Sequence, residues 1–375
     1  MLIRTLPVEN GNYGGILQAY ALQTVVRDFG WNVDTDLSVR PHGLGRIARV
    51  VMPVKRTFLN TPIFLREVDA EINADLTAFV SKHMSTVRVF RSRQRARRSV
   101  YSRYTTFIAG SDQVWRPEYA DVPSFMFDFL PDGAESRLIS YAASFGTDNP
   151  ADYSRDLLRA TRLLAKRFSA ISVREVGAIG RVEQMWGVSA RQHVDPTMLL
   201  PNSRWTELIA TTSLGGGDHD GQLVSYVLDA EPRKSILASE LAEMMGTGVF
   251  KLARPQPVDL KSYLDDKIRY IKPPIEQWLR AISVAGMLVT DSFHGCVFAI
   301  IFNTPFVVTA NRGRGISRFD SLLSRFGLEG RRIDSDTMDL ADVRRVATEQ
   351  IDWSPINSIL DAERARGRDY LMRHL

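Results

Sequence analysis

The sequence predicts an α/β protein built as two doubly wound, Rossmann-like domains that face a cleft. Three observations carry that expectation. Short β-rich runs alternate with helix-period segments through both halves; glycine turns, GNYGG at 11–15 and GSD at 110–112, follow strand-like runs; and 375 residues are too many for one small core. Such alternation builds parallel sheets through right-handed crossovers, and ligands of such sheets sit beyond the carboxyl ends of the strands. With two sheets, the cleft between them is the natural binding place.

The elements follow in order. After a short apolar start and the first glycine turn, Leu22, Val25, Val26 and Phe29 keep helical spacing, and Gly30 stands where a helix ends. WNVDTD at 31–36 reads as the second strand. Residues 40–100 are irregular and basic, broken by Pro41, Pro53 and Pro62, and read as an insertion with helices near 63–82. The alternation resumes with FIAG before the GSD turn, LISYAAS at 138–144, a helix carrying Leu157, Ala160, Thr161, Leu164 and Phe168, the strand ISVRE at 171–175 and a helix over 175–185. HVDPTMLLP at 193–201 reads as the crossing between halves, and SLGGGDHDG at 213–221 as a flexible surface loop. The second half repeats the rhythm with strands at 222–228, 248–253, 285–290 and 306–309 and helices over 233–245 and 274–284. Ser354 is expected to cap the last helix with Pro355 at its first position. The expected division is therefore 1–200, 201–353, and a C-terminal helix over 354–375 that packs back on the first domain.

Composition narrows the class. Hydrophobic content of 44% and charged content of 24% are globular values. The start has no apolar core of a signal peptide, and no apolar run approaches the roughly 20 residues of a spanning helix. One cysteine, Cys296, and no zinc-spaced Cys/His cluster suit a reducing cytoplasm, with a peripheral contact at the inner membrane face open to the protein. The net charge of +5 gathers in RVFRSRQRARR at 88–98, which holds six arginines. A charge run of this kind ordinarily faces water. No RNA-binding signature or metal finger accompanies it, so nucleic acid is not an expected partner.

The segment with most chemistry is DSFHG at 291–295, set between an apolar strand and the run CVFAIIF. A helix start there offers free N–H groups and the positive dipole end to an anion, and Gly295 lets a ligand approach the backbone. His294 at that edge is placed for proton transfer; read structurally, it caps the helix. Asn12 and Tyr13 of the first glycine turn face the cleft if that turn is more than a turn, although the G-x-G-x-x-G spacing is absent. Asp112, Gln113 and Trp115 combine hydrogen-bonding groups with an aromatic platform suited to a sugar, or else form a turn beside a buried Trp. Arg174 of SVRE and Arg312, Arg314 and Arg318 of NRGRGISRF offer forks for carboxylate or phosphate, or simple salt bridges. Cys296 belongs to an apolar run and is expected to pack inward rather than act as a nucleophile.

Taken in order, GNYGGILQAYALQ, FIAGSDQVW, SYAASFG, SVRE, HVDPTMLL, TDSFHGCVFAIIFNTPFVV and SRFDSLLSRFGLE resemble the polysaccharide pyruvyl transferase family over roughly residues 10–330. The resemblance implies a fold similar to B-type glycosyltransferases. It also implies transfer of pyruvate from phosphoenolpyruvate to two hydroxyls of a sugar, as a ketal, with release of phosphate. On that reading His294 shuttles protons, Arg174, Ser292, Gly295, Arg312 and Arg318 hold phosphoenolpyruvate, and Asn12, Tyr13, Asp112, Gln113 and Trp115 meet the saccharide. The first domain, with its basic insertion, is then the acceptor side and the second the phosphoenolpyruvate side. The acceptor so implied is a saccharide, lipid-linked or nucleotide-linked, and the implied reaction requires neither metal nor cofactor. In one respect the sequence departs from the pattern: some members carry an arginine two residues before the histidine, where this chain has Ser292. Two other readings are a nucleotide-sugar glycosyltransferase, disfavoured by the lack of Asp or Glu over 295–311, and a non-catalytic basic binding protein.

Overall fold

The computed structural model describes residues 1–7, 11–38, 66–90, 96, 98–147, 152–213, 220–229, 231–309, 316–334 and 339–375. Most of the basic insertion, most of the glycine loop expected over 213–221, and Arg312 and Arg314 lie outside these residues.

Among them the first half forms a five-stranded parallel sheet of β1 (Leu2–Arg4), β2 (Asp34–Asp36), β3 (Thr86–Val87), β4 (Thr106–Ala109) and β5 (Arg137–Ser140), in the order β3-β2-β1-β4-β5. Chain order reverses between β1 and β4, which makes their carboxyl ends the switch point at which a doubly wound sheet opens a crevice. A two-stranded parallel sheet, β6 (Ser172–Val173) with β7 (Arg191–Gln192), continues beyond β5 through the bridges Ile139–Ala170 and Ala143–Val173. The second half forms a parallel sheet of β8 (Leu223–Tyr226), β9 (Val249–Lys251), β10 (Met287–Thr290) and β11 (Phe306–Val308), ordered β11-β10-β8-β9. Its switch point lies between β8 and β10. The expected class, α/β with two Rossmann-like sheets, is the one observed.

Six helices position what matters: α1 (Tyr13–Asp28), α2 (Pro232–Met244), α3 (Ile275–Ser283), α4 (Phe293–Phe302), α5 (Ser317–Phe326) and α6 (Trp353–His374). Helix α1 follows β1 and α4 follows β10, so each starts at the switch point of its own sheet. One apolar cluster runs from Ile3, Ile16 and Leu17 through Trp205, Trp278 and Phe298 to Leu288 and Phe306, joining the two halves in a continuous core. Tyr13 reinforces that junction: its ring stacks on Trp278 at 5.3 Å and its hydroxyl donates to the Pro273 carbonyl at 2.7 Å.

Helix α6 lies against the first half, where the Tyr370 hydroxyl donates to Ser140 O at 3.1 Å and Arg364 to Met198 O at 3.2 Å. Its start corrects the expected cap. The N-cap is Asp352, whose carboxylate accepts from Ser354 N at 3.0 Å, and Pro355 falls later in the first turn. Two side chains able to cap stand two residues apart, and the carboxylate is the one used. Proline is tolerated there because first-turn N–H groups have no helical partner.

Candidate active site

The starts of α1 and α4 meet face to face. A Cβ placed on Gly14 would lie 2.0 Å from His294 Nδ1 and 2.2 Å from its Cγ, so the imidazole rests directly on the bare backbone of α1. The glycine turn is thus more than a turn. Its missing side chain makes room for the histidine of the other sheet, and two positive helix ends converge there.

The other ring nitrogen faces Asp195. His294 Nε2 faces Asp195 Oδ2 at 3.5 Å, just short of a formed hydrogen bond. His294 is 7% exposed and Asp195 1%. Asp195 Oδ1 is fixed by Thr197, whose N–H and hydroxyl donate at 3.1 and 2.9 Å, and Oδ2 accepts from Ser111 Oγ at 3.2 Å and Arg174 Nη1 at 3.1 Å. Burial alone would raise this carboxyl. The charge and hydrogen-bonding reach of His294, with Arg174 and the Thr197 N–H, outweigh it and hold Asp195 well below the usual carboxylate range.

Arg174, at the end of β6, is the hub. Besides Asp195 it meets Glu175 at 3.3 Å and Asp112 at 3.7 Å, and its guanidinium lies 4.2 Å from the centre of the Phe293 ring. Burial works against its charge, but Glu175, Asp112 and Asp195 overcome that and push its pKa up. Its Nη2 is buried without a hydrogen-bond partner. Arg318 of α5 shares the Phe293 ring at 5.9 Å and is pushed down to about 10 by burial and then by Arg174. The chamber beside these groups measures about 10 Å³, room for about one water molecule.

Of the expected site residues, His294, Arg174, Asp112 and Arg318 therefore come together, and Arg312 lies outside the described residues. Asp112 sits beside Arg174, at positive φ of 72° just past the carboxyl end of β4. Ser292 is the N-cap of α4, its Oγ accepting from Gly295 N at 3.4 Å. A Cβ at Gly295 would lie 2.6 Å from Thr290 Oγ1, so close packing of α4 on β10 accounts for that glycine. Trp115 corrects the expectation of a sugar platform: it is fully buried against Trp186 and Phe145 and presents no face to a ligand. Gln113 spends its amide oxygen on Arg116 at 3.0 Å. Tyr13 is 4% exposed with its hydroxyl engaged, while Asn12 is exposed at the rim of a larger cleft.

Asp195 and Glu175 went unassigned in the sequence although both stand in quoted motifs. An Asp-Pro-Thr step inside an apolar run reads as a local turn, and Asp195 does cap the short 3₁₀ turn Pro196–Leu199. Its second oxygen does the site's work. The Cys296 thiol is buried and pushed up by that burial, which leaves it unsuited to nucleophilic chemistry. Among the described residues no group of three or more His, Cys, Asp or Glu is placed to hold a metal ion, and no helix is long and apolar enough to cross a membrane.

Comparison with known proteins adds a family. Solved structures that match over nearly the whole chain include the glycotransferase of kitacinnamycin (14% identity, all of this chain and 98% of that one, TM-score 0.42). S. aureus MnaA in a co-structure with UDP matches at 9% identity over 100% and 97% of the two chains, with TM-score 0.49. Sucrose-phosphate synthase from Thermosynechococcus elongatus matches at 12% over 99% and 98%, with TM-score 0.48. At such identities and scores these likenesses bear on neither activity nor substrate. Among curated proteins no sequence matches. The family model described as polysaccharide pyruvyl transferase matches residues 12–313, a span that begins at the turn before Gly14 and takes in Asp112, Arg174, Asp195 and His294. By that match the chain belongs to the polysaccharide pyruvyl transferase family.

Proposed function

We propose that the protein transfers the pyruvyl group of phosphoenolpyruvate to two hydroxyls of a saccharide, forming a cyclic ketal and releasing phosphate. The observation that carries this reading is Arg174 Nη2, a buried guanidinium donor without a hydrogen-bond partner, set with the His294 ring beside the Asp195 carboxylate where the starts of α1 and α4 meet. Buried polar groups are ordinarily satisfied, and an unspent donor at a switch point suits an anionic substrate.

The reaction needs a proton at the methylene carbon, attack of the first hydroxyl at the adjacent carbon, and loss of phosphate as the second hydroxyl closes the ring. The proton given to carbon is balanced by the one lost from the first hydroxyl; the second hydroxyl's proton leaves with phosphate. His294 supplies and recovers the proton, and Asp195 orients the ring through Nε2, which leaves Nδ1, on the Gly14 side, to face the reacting atoms. Arg174, Arg318 and the two helix starts supply positive charge to carboxylate and phosphate. The chamber lined by Arg174, Asp195, Phe293 and Arg318 measures about 10 Å³, too small for phosphoenolpyruvate, and His294 Nδ1 rests on Gly14, so this reading requires α5 and the start of α1 to draw back when substrate enters.

The test is incubation with phosphoenolpyruvate and a panel of saccharides, following phosphate release together with pyruvyl mass on the acceptor. Wild type gains both signals, and His294→Ala loses about 10²- to 10⁴-fold in rate while keeping its thermal transition. Phosphate without added mass would refute transfer, as would full activity in the variant.

A further inference from the structure

The larger cleft beside this centre has no role so far. It measures about 850 Å³ and opens at the carboxyl ends of β8 and β9, opposite the start of α1. Lys251, Arg254, Arg269 and Lys272 line it together with Asn12 and Ser235, and no carboxylate is among its described lining residues. Lys251, Arg254 and Arg269 are exposed and form no ion pair among the described residues. Lys272 donates to Gly11 O at 2.9 Å, and burial pushes its pKa down. Ser235, near the start of the 13-residue α2, borders the same space.

Charged side chains on a folded surface usually find opposite charges, so a concave site with four cations and no acid is a field built for an anion. Its size decides which one. Pockets of roughly 300–1,000 Å³ suit ligands of drug size, well above a three-carbon substrate. The cleft also shares a wall with the catalytic centre: Asn12 and Tyr13 line it, and the next residue, Gly14, carries the His294 ring.

We infer that this cleft binds the phosphate end of the acceptor, a saccharide carried on a diphosphate, with Lys251, Arg254 and Arg269 as its phosphate ligands. The inference rests on the transferase reading for the word acceptor, but the diphosphate site stands on its own geometry. A diphosphate held against the β8 and β9 ends directs the attached sugar past Asn12 toward His294. A nucleoside and an isoprenoid alcohol are two sources of the same group.

The experiment is calorimetric titration of inorganic pyrophosphate into the full chain and into the triple variant Lys251→Ala, Arg254→Ala, Arg269→Ala. All three side chains are exposed, so an unchanged thermal transition is expected and is checked first. Pyrophosphate should bind wild type, more weakly as salt rises, and at least tenfold more weakly in the variant. UDP and farnesyl diphosphate, run as parallel arms, should show the same loss; the tighter of the two in wild type names the carrier. The KM for phosphoenolpyruvate should not change. No pyrophosphate binding by wild type, or equal binding by the variant, overturns the site. Competition between pyrophosphate and phosphoenolpyruvate, with a raised KM for the latter in the variant, overturns the acceptor assignment. Cation-dependent pyrophosphate binding in a protein that transfers nothing refutes the transferase reading and leaves the diphosphate site standing.

Discussion

Replacing Gly14 by alanine tests the centre without touching any group that can carry a proton or a charge. The new methyl would sit 2.0 Å from His294 Nδ1, where ordinary contact begins near 3.4 Å, so the ring or the helix start must retreat by about 1.4 Å. Alanine gains up to about 1 kcal/mol of helix propensity over glycine, while overpacking costs about 1–3 kcal/mol. The fold is therefore expected to lose at most about 3 kcal/mol. A misplacement of about 1 Å at a reacting group costs on the order of 10²-fold in rate, so kcat should fall by about that factor or more. Phosphate release at saturating phosphoenolpyruvate gives kcat, and a thermal melt of the same samples gives stability. Wild-type kcat in a folded Gly14→Ala protein would refute the argument, because it would show that the position of the His294 ring does not matter to the chemistry.

Two further outcomes follow from neighbouring charges. Asp195→Asn keeps shape but removes the charge that orients His294 and pairs with Arg174, so kcat should drop about 10²-fold or more and stability by roughly 3–5 kcal/mol, the cost of breaking a buried pair. Because the Asp195 pKa is depressed in the fold, its stabilisation is complete above the unfolded value of about 3.9 and is lost progressively as pH falls from there toward the lower folded value; acid unfolding curves of variant and wild type should draw together over that range. His193 is a separate case. Buried between Tyr141 and Tyr370, with Nδ1 2.9 Å from Ser172 Oγ, it is pushed down to about 4 by burial and then by Arg366, Arg191, Arg325 and His374. Between pH 6.5 and about 4 the unfolded chain binds a proton that the native state refuses, so wild type should lose about 3 kcal/mol across that window. His193→Gln should lack that part of the slope, as followed by denaturant melts; parallel slopes would sink the account.

Periodicity made the alternating elements legible, and the break from apolar to polar at Thr290 placed His294 at a helix start before any coordinates. What stayed hidden was which residues from distant elements share a space. Asp195 looked like a turn residue because it is one; its second oxygen serves partners that no local spacing reveals. Trp115 was ambiguous since an aromatic after a strand has the same local pattern whether it faces a sugar or, as here, Trp186. The cations at 251, 254, 269 and 272 form no run in the sequence, whereas the conspicuous run at 88–98 drew attention by composition alone. Gly14 was visible as a turn glycine, but its purpose lies in a ring contributed by the other sheet.

Helix α6 carries a consequence for how the protein is made. A Cβ on Gly367 would strike the Tyr141 hydroxyl at 2.4 Å, and Tyr370 and Leu371 are buried within the shared core. The surface these side chains cover is laid down by the early part of the chain, well before α6 is synthesised. Early on the ribosome, then, the first sheet stands with one flank bare, and domain-by-domain maturation waits for α6 to emerge. Chains that lack the last turns of α6 should leave that flank exposed and turn up as aggregate rather than as weakened enzyme.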